Sequence, residues 1–446
     1  METTPVIIQA PASKSMSHRT LIAAALAAGQ SRLTSVLKSE DLERTGDILS
    51  RMGAKLEYLG PGEIQVTGMA GRPEGGQTEP LDLFVAESGT TCRLLTAIAA
   101  AGKGKFRIHG RGQMHNRPIG ALAQSLAKLG STFTYEENQG CPPFILETNG
   151  MAGGNVDVDL AESSQYLSGV LLAAPMAADT LIVNVAGDKV VSWPYVALTL
   201  QVLEDFGIAF LVETRDGSGN WNRTDWREIK EVKPGSIRFV VSPGAYKAQD
   251  RRVEGDWSNA SYFAAAGAIG PRPVIIEGLR RDSLQGDRVI LDILQQMGAD
   301  VQWQGDSVTI GPGELKGVDV DMGACPDIVP TVAVAASLAQ GETLIRNVAH
   351  LRIKECDRLS AVATELGRVG VQVDVLEDGL RVHPSSLPQE PKDEPIPHLT
   401  YGDHRIAMCM AILALAGETM VPDKPDCVGK SFPGFWDEWG KVVAGE

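Results

Sequence analysis

A chain of 446 residues exceeds what one ordinary hydrophobic core serves, so two domains or a repeat array are expected. With 43% hydrophobic and 22% charged residues it reads as an ordinary globular chain, and no run reaches the 18 or more apolar residues of a membrane span. A net charge of -15 without a basic stripe argues against a nucleic-acid surface and leaves anionic metabolites as ligands only where cations gather locally.

The stretch Pro11-Ala-Ser-Lys-Ser-Met-Ser-His-Arg19 leads into the apolar run Thr20–Ala28. It reads as a Ser-rich cap on a small-residue helix, flanked by the cations Lys14 and Arg19. A helix start with free backbone N–H groups and a positive dipole end attracts anions. Residues 14–30 also mimic a signal peptide, but equivalent segments recur deep in the chain, which argues against one. Polar motifs open Ala-rich runs at Ser15, Ser88, Ser163, Ser258, Pro326 and Asp403, at intervals of 68 to 95 residues. A second element recurs in the same order, a helix ending at glycine before a strand: Gly53, Gly130, Gly207, Gly298, Gly370 and Gly440. Six copies of one unit are therefore expected. The longest interval holds a polar insertion, Arg215–Pro234, and the stretch Ser242–Asp250, which suits a crossing between domains. That divides the array into three units plus three.

If three like units surround a pseudo-threefold axis, their polar helix starts converge, and two such domains form a cleft lined by helix N-termini. Cations stand near these starts: Lys14, Arg19, Arg93, Arg117, Lys354, Arg358, Arg405 and Lys430. Arginine suits bidentate carboxylate or phosphate contacts, and lysine acts as a mobile point charge. Asp327, Glu355 and Asp403 are interleaved with them, as structural ion pairs or as proton carriers. Other chemistries find no motif. Gly429-Lys430-Ser431 resembles the tail of a P-loop, but Lys424 stands where that motif needs glycine. The seven His residues lack metal-ligand spacing, and no Ser has a His and acid arranged for a triad. The six Cys include no C-x-x-C pair and read as reduced thiols of a cytoplasmic protein. No metal and no cofactor are expected.

In order along nearly the whole chain, the motifs Ser13-Lys14-Ser15…Arg19, Ser88-Gly89-Thr90…Arg93, Arg117-Pro-Ile-Gly120, Ser163-Ser164-Gln165, Val253-Glu-Gly-Asp256, Gln285-Gly-Asp287, Pro326-Asp327, Lys354-Glu355…Asp357-Arg358, Asp403-His-Arg405 and Lys430-Ser-Phe-Pro433 resemble the 3-phosphoshikimate 1-carboxyvinyltransferase (EPSP synthase) family of enolpyruvyl transferases. The resemblance implies a two-domain inside-out α/β barrel, each domain made of three βαβαββ units. The domains would be residues 14–252 and residues 1–13 plus 253–446, with the active site in the cleft. It implies transfer of the enolpyruvyl group of phosphoenolpyruvate to the 5-hydroxyl of shikimate 3-phosphate by addition and elimination. Its partners would be these two small molecules, with no nucleic acid or membrane, and the protein would be a monomer.

Carried over by position, shikimate 3-phosphate would contact Lys14, Ser15, Arg19, Ser163, Ser164, Gln165, Ser192, Asp327 and Lys354. Phosphoenolpyruvate would contact Lys14, Gly89, Arg117, Gln165, Arg358, Arg405 and Lys430. Asp327 would handle the hydroxyl proton and Glu355 the methylene carbon, with Lys14 assisting. Glyphosate competes at the phosphoenolpyruvate site in this family. Glu87-Ser88 and Leu94 depart from the common pattern around Gly89, which bears on loop shape and inhibitor sensitivity. The related UDP-N-acetylglucosamine enolpyruvyl transferases carry a reactive Cys before the Arg-Pro, and here Arg111–Asn116 has none. A non-catalytic phosphometabolite-binding protein would keep the cations and lose the acids.

Overall fold

The computed structural model describes residues 4–229, 232–385 and 394–445. Helices alternate between two kinds, and the sequence explains the alternation. The first kind is α1 (Lys14–Leu26), α3 (Gly89–Ala100), α5 (Gln165–Ala173), α7 (Trp257–Ile269), α9 (Val329–Ser337) and α11 (His404–Ala411), each buried on nearly every side. Their Ala, Gly, Ser and Thr content lets neighbouring backbones approach, and a helix apolar all round belongs inside. The second kind is α2 (Glu40–Arg51), α4 (Gly120–Lys128), α6 (Pro194–Asp205), α8 (Ile290–Met297), α10 (Arg358–Arg368) and α12 (Phe435–Ala444). These helices bury one face. In α2, Leu42, Thr45, Ile48 and Leu49 point inward, while Glu40 and Glu43 at its start and Arg51 at its end complement the helix dipole.

Five of the repeated glycines end the second kind of helix in the left-handed region: Gly53 (φ 122°), Gly130 (108°), Gly207 (75°), Gly298 (122°) and Gly370 (87°). The sixth expectation fails. Gly440 lies inside α12, which continues to Ala444 and ends before Gly445 (φ 73°). Phe435 and Trp439, on one face of α12, stack at 5.9 Å and pack against Phe263 of α7, so burial carries the helix through the glycine.

The sheets repeat one order. Leu81–Phe84 runs parallel to Lys103–His109, which pairs antiparallel with Phe144–Asn149, and that strand pairs antiparallel with Thr132–Tyr135. The parallel pair straddles a crossover helix, α3, as such a pair must. Gly154–Asp159 with Leu181–Ala186, and Asp319–Asp321 with Thr343–Arg346, begin sheets of the same kind. The insertion after Arg215 adds the edge strand Trp221–Arg223; residues 230 and 231 of that insertion lie outside the described residues.

The chain divides into two compact units, Lys14–Val253 (the N-terminal unit) and Met1–Ser13 with Glu254–Glu446 (the C-terminal unit). Residues 242–250, read as a crossing, stay in the N-terminal unit; the chain leaves it after Val253. In each unit one sheet takes its first strand from far away in sequence. Arg251–Arg252 pairs parallel with Leu33–Thr34 in the N-terminal unit. Val6–Gln9 pairs parallel with Val274–Glu277 in the C-terminal unit. Among the described residues the last repeat has only the parallel pair Ile396–His398 and Met420–Pro422, followed by α12.

Candidate active site

In the N-terminal unit three buried helices begin with the residues singled out from sequence. Lys14 is the first residue of α1, and its Nζ lies 2.5 Å from Oδ2 of Asp41 in the first turn of α2. Arg19, one turn on, is 1% exposed. Its Nε donates to Thr199 Oγ1 (2.8 Å), Nη1 to the Ser15 carbonyl (3.0 Å), and Nη2 to Ser168 Oγ (3.2 Å) and the Tyr195 carbonyl (3.0 Å). These four acceptors are all neutral. Burial brings the Arg19 pKa down to about 10, because desolvation of the charge is incompletely offset. An anion beside it would be a favourable partner.

Ser88 caps α3, its Oγ accepting from the Thr91 N–H (3.3 Å). Gly89 then opens the helix under Arg117, which is buried and donates from Nη1 to the Glu87 carbonyl (3.3 Å). A Cβ at residue 89 would stand 2.5 Å from Arg117 Nη2, so the glycine allows the guanidinium to lie over the helix start. At α5, Ser163 Oγ accepts from the Gln165 N–H (3.2 Å), and Ser164 is buried at the cap. Gln165 is held from both ends of its amide: Arg93 Nη1 donates to Oε1 (3.0 Å), and Nε2 donates to Thr90 Oγ1 (2.9 Å). Arg93 also stands over the Tyr166 ring at 5.7 Å. Ser192 is buried just ahead of α6, in the left-handed region at φ 55°. That backbone is strained for a residue with a Cβ.

The C-terminal unit gathers acids around arginines. Arg358, 2% exposed, donates from Nε to Asp403 Oδ2 (2.7 Å), from Nη1 to Asp327 Oδ1 (3.0 Å) and from Nη2 to Glu355 Oε2 (2.8 Å). Arg405 Nη2 reaches the other Asp327 oxygen at 2.7 Å, and its Nη1 reaches the Tyr262 hydroxyl at 3.3 Å. Asp403 also caps α11 through the Arg405 N–H (2.9 Å). Burial by itself would raise the pKa of Asp327, but Arg405, Arg358 and Lys354 outweigh it and hold the carboxyl well below the usual range. Lys354 follows the short turn Ala349–Ile353, and Lys430 closes the turn Pro425–Lys430 with its Nζ on the Gly402 carbonyl (3.1 Å). Asp287 accepts from the Ser258 hydroxyl. Its pKa is pushed up to about 7, first by burial and then by the charge of Asp327.

Some of this architecture escaped the sequence. The grip of Asp41 on Lys14 has no local signal, since 27 residues separate them. Asp403 was visible as an acid among cations, but its double task of capping α11 and orienting Arg358 was not. Thr199 and Ser168, which hold Arg19, belong to motifs that nothing singled out. Among the described residues no group of three His, Cys, Asp or Glu side chains could hold a metal ion, and no helix is long and apolar enough to cross a membrane.

The fold and these anion-oriented clusters define a two-unit α/β enzyme of the enolpyruvyl transferase class. Solved structures share the fold: an EPSP synthase from Acinetobacter baumannii superposes with a TM-score of 0.74 at 24% identity over 99% of this chain and 96% of that one. The enolpyruvyl transferase NikO from Streptomyces tendae gives 0.71 at 18% identity over 99% and 96%. The chain belongs to the EPSP synthase (3-phosphoshikimate 1-carboxyvinyltransferase) family, whose sequence model matches residues 5–439. Curated relatives named 3-phosphoshikimate 1-carboxyvinyltransferase include that of Vibrio vulnificus strain YJ016, 38% identical over 97% of this chain and 95% of its own length. That of Shewanella denitrificans is 38% identical over 98% and 96%.

Proposed function

We propose that the chain transfers the enolpyruvyl group of phosphoenolpyruvate to the 5-hydroxyl of shikimate 3-phosphate, releasing phosphate, and that the two clusters act on the same pair of substrates. The observation that carries the assignment of roles is the convergence of Arg358 and Arg405 on the two oxygens of Asp327, with Glu355 on the same Arg358 guanidinium. This convergence supports the reading of Asp327 and Glu355 as proton carriers beside two anion-binding arginines.

Shikimate 3-phosphate is held by Lys14, Ser15, Arg19, Ser163, Ser164, Gln165, Ser192, Asp327 and Lys354. The buried Arg19, compensated by neutral oxygens, supports a phosphate there. Phosphoenolpyruvate is held by Lys14, Gly89, Arg117, Gln165, Arg358, Arg405 and Lys430. In the addition step the 5-hydroxyl oxygen bonds to C2 of phosphoenolpyruvate, its proton passes to Asp327, and a proton enters at C3 from Glu355 with Lys14 assisting. Elimination then returns a C3 proton to Glu355 and expels phosphate, which takes the proton held by Asp327, so both carboxyl groups are reset. Without substrate, the two arginines keep Asp327 a weak base. A substrate carboxylate that takes over their N–H groups raises its basicity at the moment it is needed. Cations offset the repulsion between the two anions.

All six cysteines are free, which supports a cytoplasmic setting, and a monomer is the assembly we assign. The test is phosphate release from phosphoenolpyruvate with shikimate 3-phosphate against UDP-N-acetylglucosamine as acceptor. Release only with the former is expected; release only with the latter overturns the assignment. Light scattering at the mass of one chain checks the monomer.

A further inference from the structure

A buried hydrogen-bond chain in the N-terminal unit links Asp41 and Ser88 to the side chains of His18, Thr45 and Thr91, which make none of the contacts above. His18 Nδ1 lies 2.9 Å from Thr45 Oγ1. Thr45 Oγ1 lies 2.8 Å from Thr91 Oγ1. The Thr91 hydroxyl reaches Ser88 Oγ at 2.7 Å and the Asp41 carbonyl at 3.2 Å. His18, Thr45, Thr91 and Ser88 are wholly inaccessible to solvent, and Asp41 is nearly so. The chain crosses three helices. His18 sits on α1, one turn past Lys14 and next to Arg19; Thr45 sits on α2; Thr91 and the cap Ser88 belong to α3.

The direction of the chain follows from its ends. The Asp41 carbonyl can only accept, so the single Thr91 hydroxyl proton is shared between that carbonyl and Ser88 Oγ, and Thr91 receives from Thr45. Thr45 therefore receives from His18, which fixes the imidazole as the Nδ1–H tautomer. His18 Nε2 has no partner among the described residues. Burial brings the His18 pKa down to about 3; the nearby Asp41 opposes this, and Lys14 and Arg19 add to it. The ring therefore stays neutral while the enzyme works. Each end of the chain meets a proposed substrate contact. Asp41 grips Lys14 through its side chain while Thr91 holds its carbonyl. Ser88 sets the start of α3, where Gly89 lies under Arg117.

We propose that His18 is a positioning residue, and that the His18–Thr45–Thr91 hydrogen-bond chain locks the α1 opening (Lys14, Arg19) against the α3 opening (Gly89). This rests on the proposed function for the meaning of those openings. A bland buried histidine would need one satisfied nitrogen and no continuation; here the continuation ends on the cap of one substrate-binding helix and the clamp of another.

The experiment compares wild type with His18→Phe, Thr45→Val and His18→Asn, whose amide N–H has the reach of Nδ1. Phosphate release is measured across both substrates. His18→Phe and Thr45→Val are expected to raise both KM values about tenfold, the loss of one buried hydrogen bond, with kcat little changed. His18→Asn is expected to restore the KM values. A KM shift that Asn reverses is not produced by lowered stability alone. Nitrogen-15 histidine NMR of the wild type is expected to report the neutral Nδ1–H tautomer at His18. Wild-type KM values in Thr45→Val, failure of Asn to rescue, or an Nε2–H tautomer each overturn the proposal. Thr45→Val, which changes one atom, carries the test if His18→Phe does not fold. A wild type without turnover overturns the functional reading, while the tautomer still decides the hydrogen-bond chain.

Discussion

Arg19 and Arg358 are both buried arginines, in different units, and they are held in opposite ways. Arg19 donates to two hydroxyls and two carbonyls, so its charge is solvated but not neutralised. Arg358 donates to three carboxylates and shares one of them with Arg405. The first arrangement leaves a positive field for an incoming anion. The second matches the charge with acids, and against the effect of burial Arg405 and Arg358 hold the Asp327 carboxyl well below its usual range. Removing one member of a buried charge cluster leaves the others uncompensated, whereas neutral acceptors lose only a donor. Under the proposed function the contrast would let Arg19 meet a substrate anion directly, while Arg358 and Arg405 hold the proposed proton carriers until a ligand competes for their N–H groups.

The sharpest way to break that contrast is Asp327→Ala. Turnover in the phosphate-release assay is expected to fall about 10²–10⁴-fold, the range for a general acid or base, while calorimetry still detects shikimate 3-phosphate. An Asp327→Ala enzyme with full turnover would sink the role given to the C-terminal cluster. Arg19→Met should act on binding instead. It removes a charge-assisted contact of roughly 1.5–3 kcal/mol, so the KM for shikimate 3-phosphate rises about ten- to hundredfold, with a smaller change in kcat. A kcat-dominated loss would merge the two clusters into one task.

Stability against pH separates them further. His18 in the N-terminal unit has its native pKa lowered from 6.5 to about 3. As pH falls below 6.5 the unfolded chain takes up a proton that the native state refuses. Stability is therefore lost at up to about 1.4 kcal/mol per pH unit until about pH 3. Urea unfolding of His18→Asn should lack this slope, and an unchanged slope would assign the acid sensitivity elsewhere. The smallest effect concerns the repeat itself. Gly440→Ala, inside α12 with open space at the Cβ, should raise stability by about 0.5–1 kcal/mol. Gly298→Ala should lower it, because φ is 122° and the Cβ would meet the Glu314 carbonyl at 2.6 Å. Equal melting temperatures in the two variants would contradict the conformational distinction.

Much of the candidate site was legible because its parts are local. Ser88, Ser163 and Asp403 announce helix starts by their side-chain chemistry, and each start brings a nearby cation or amide with it. Pairs such as Asp41 with Lys14, or Thr199 with Arg19, are not local and left no mark in any window of sequence. Cap acids and hydroxyl residues are common, and nothing in their own segment says which distant cation they will meet.

By itself the sequence determined the recurrence of polar-opened, Ala-rich runs and five of the six glycine stops, since these depend on side-chain size, patterning and φ over a few residues. Tertiary structure alone decided three things. It brought Val6–Gln9 and Arg251–Arg252 to complete sheets begun elsewhere in the chain, because a strand edge accepts any backbone that reaches it. It carried α12 through Gly440, because packing of Phe435 and Trp439 against Phe263 outweighs the cost of a helical glycine. And it set which buried arginine is matched by carboxylates and which by neutral oxygens, because compensation of a charge depends on what the fold places within about 3 Å of it.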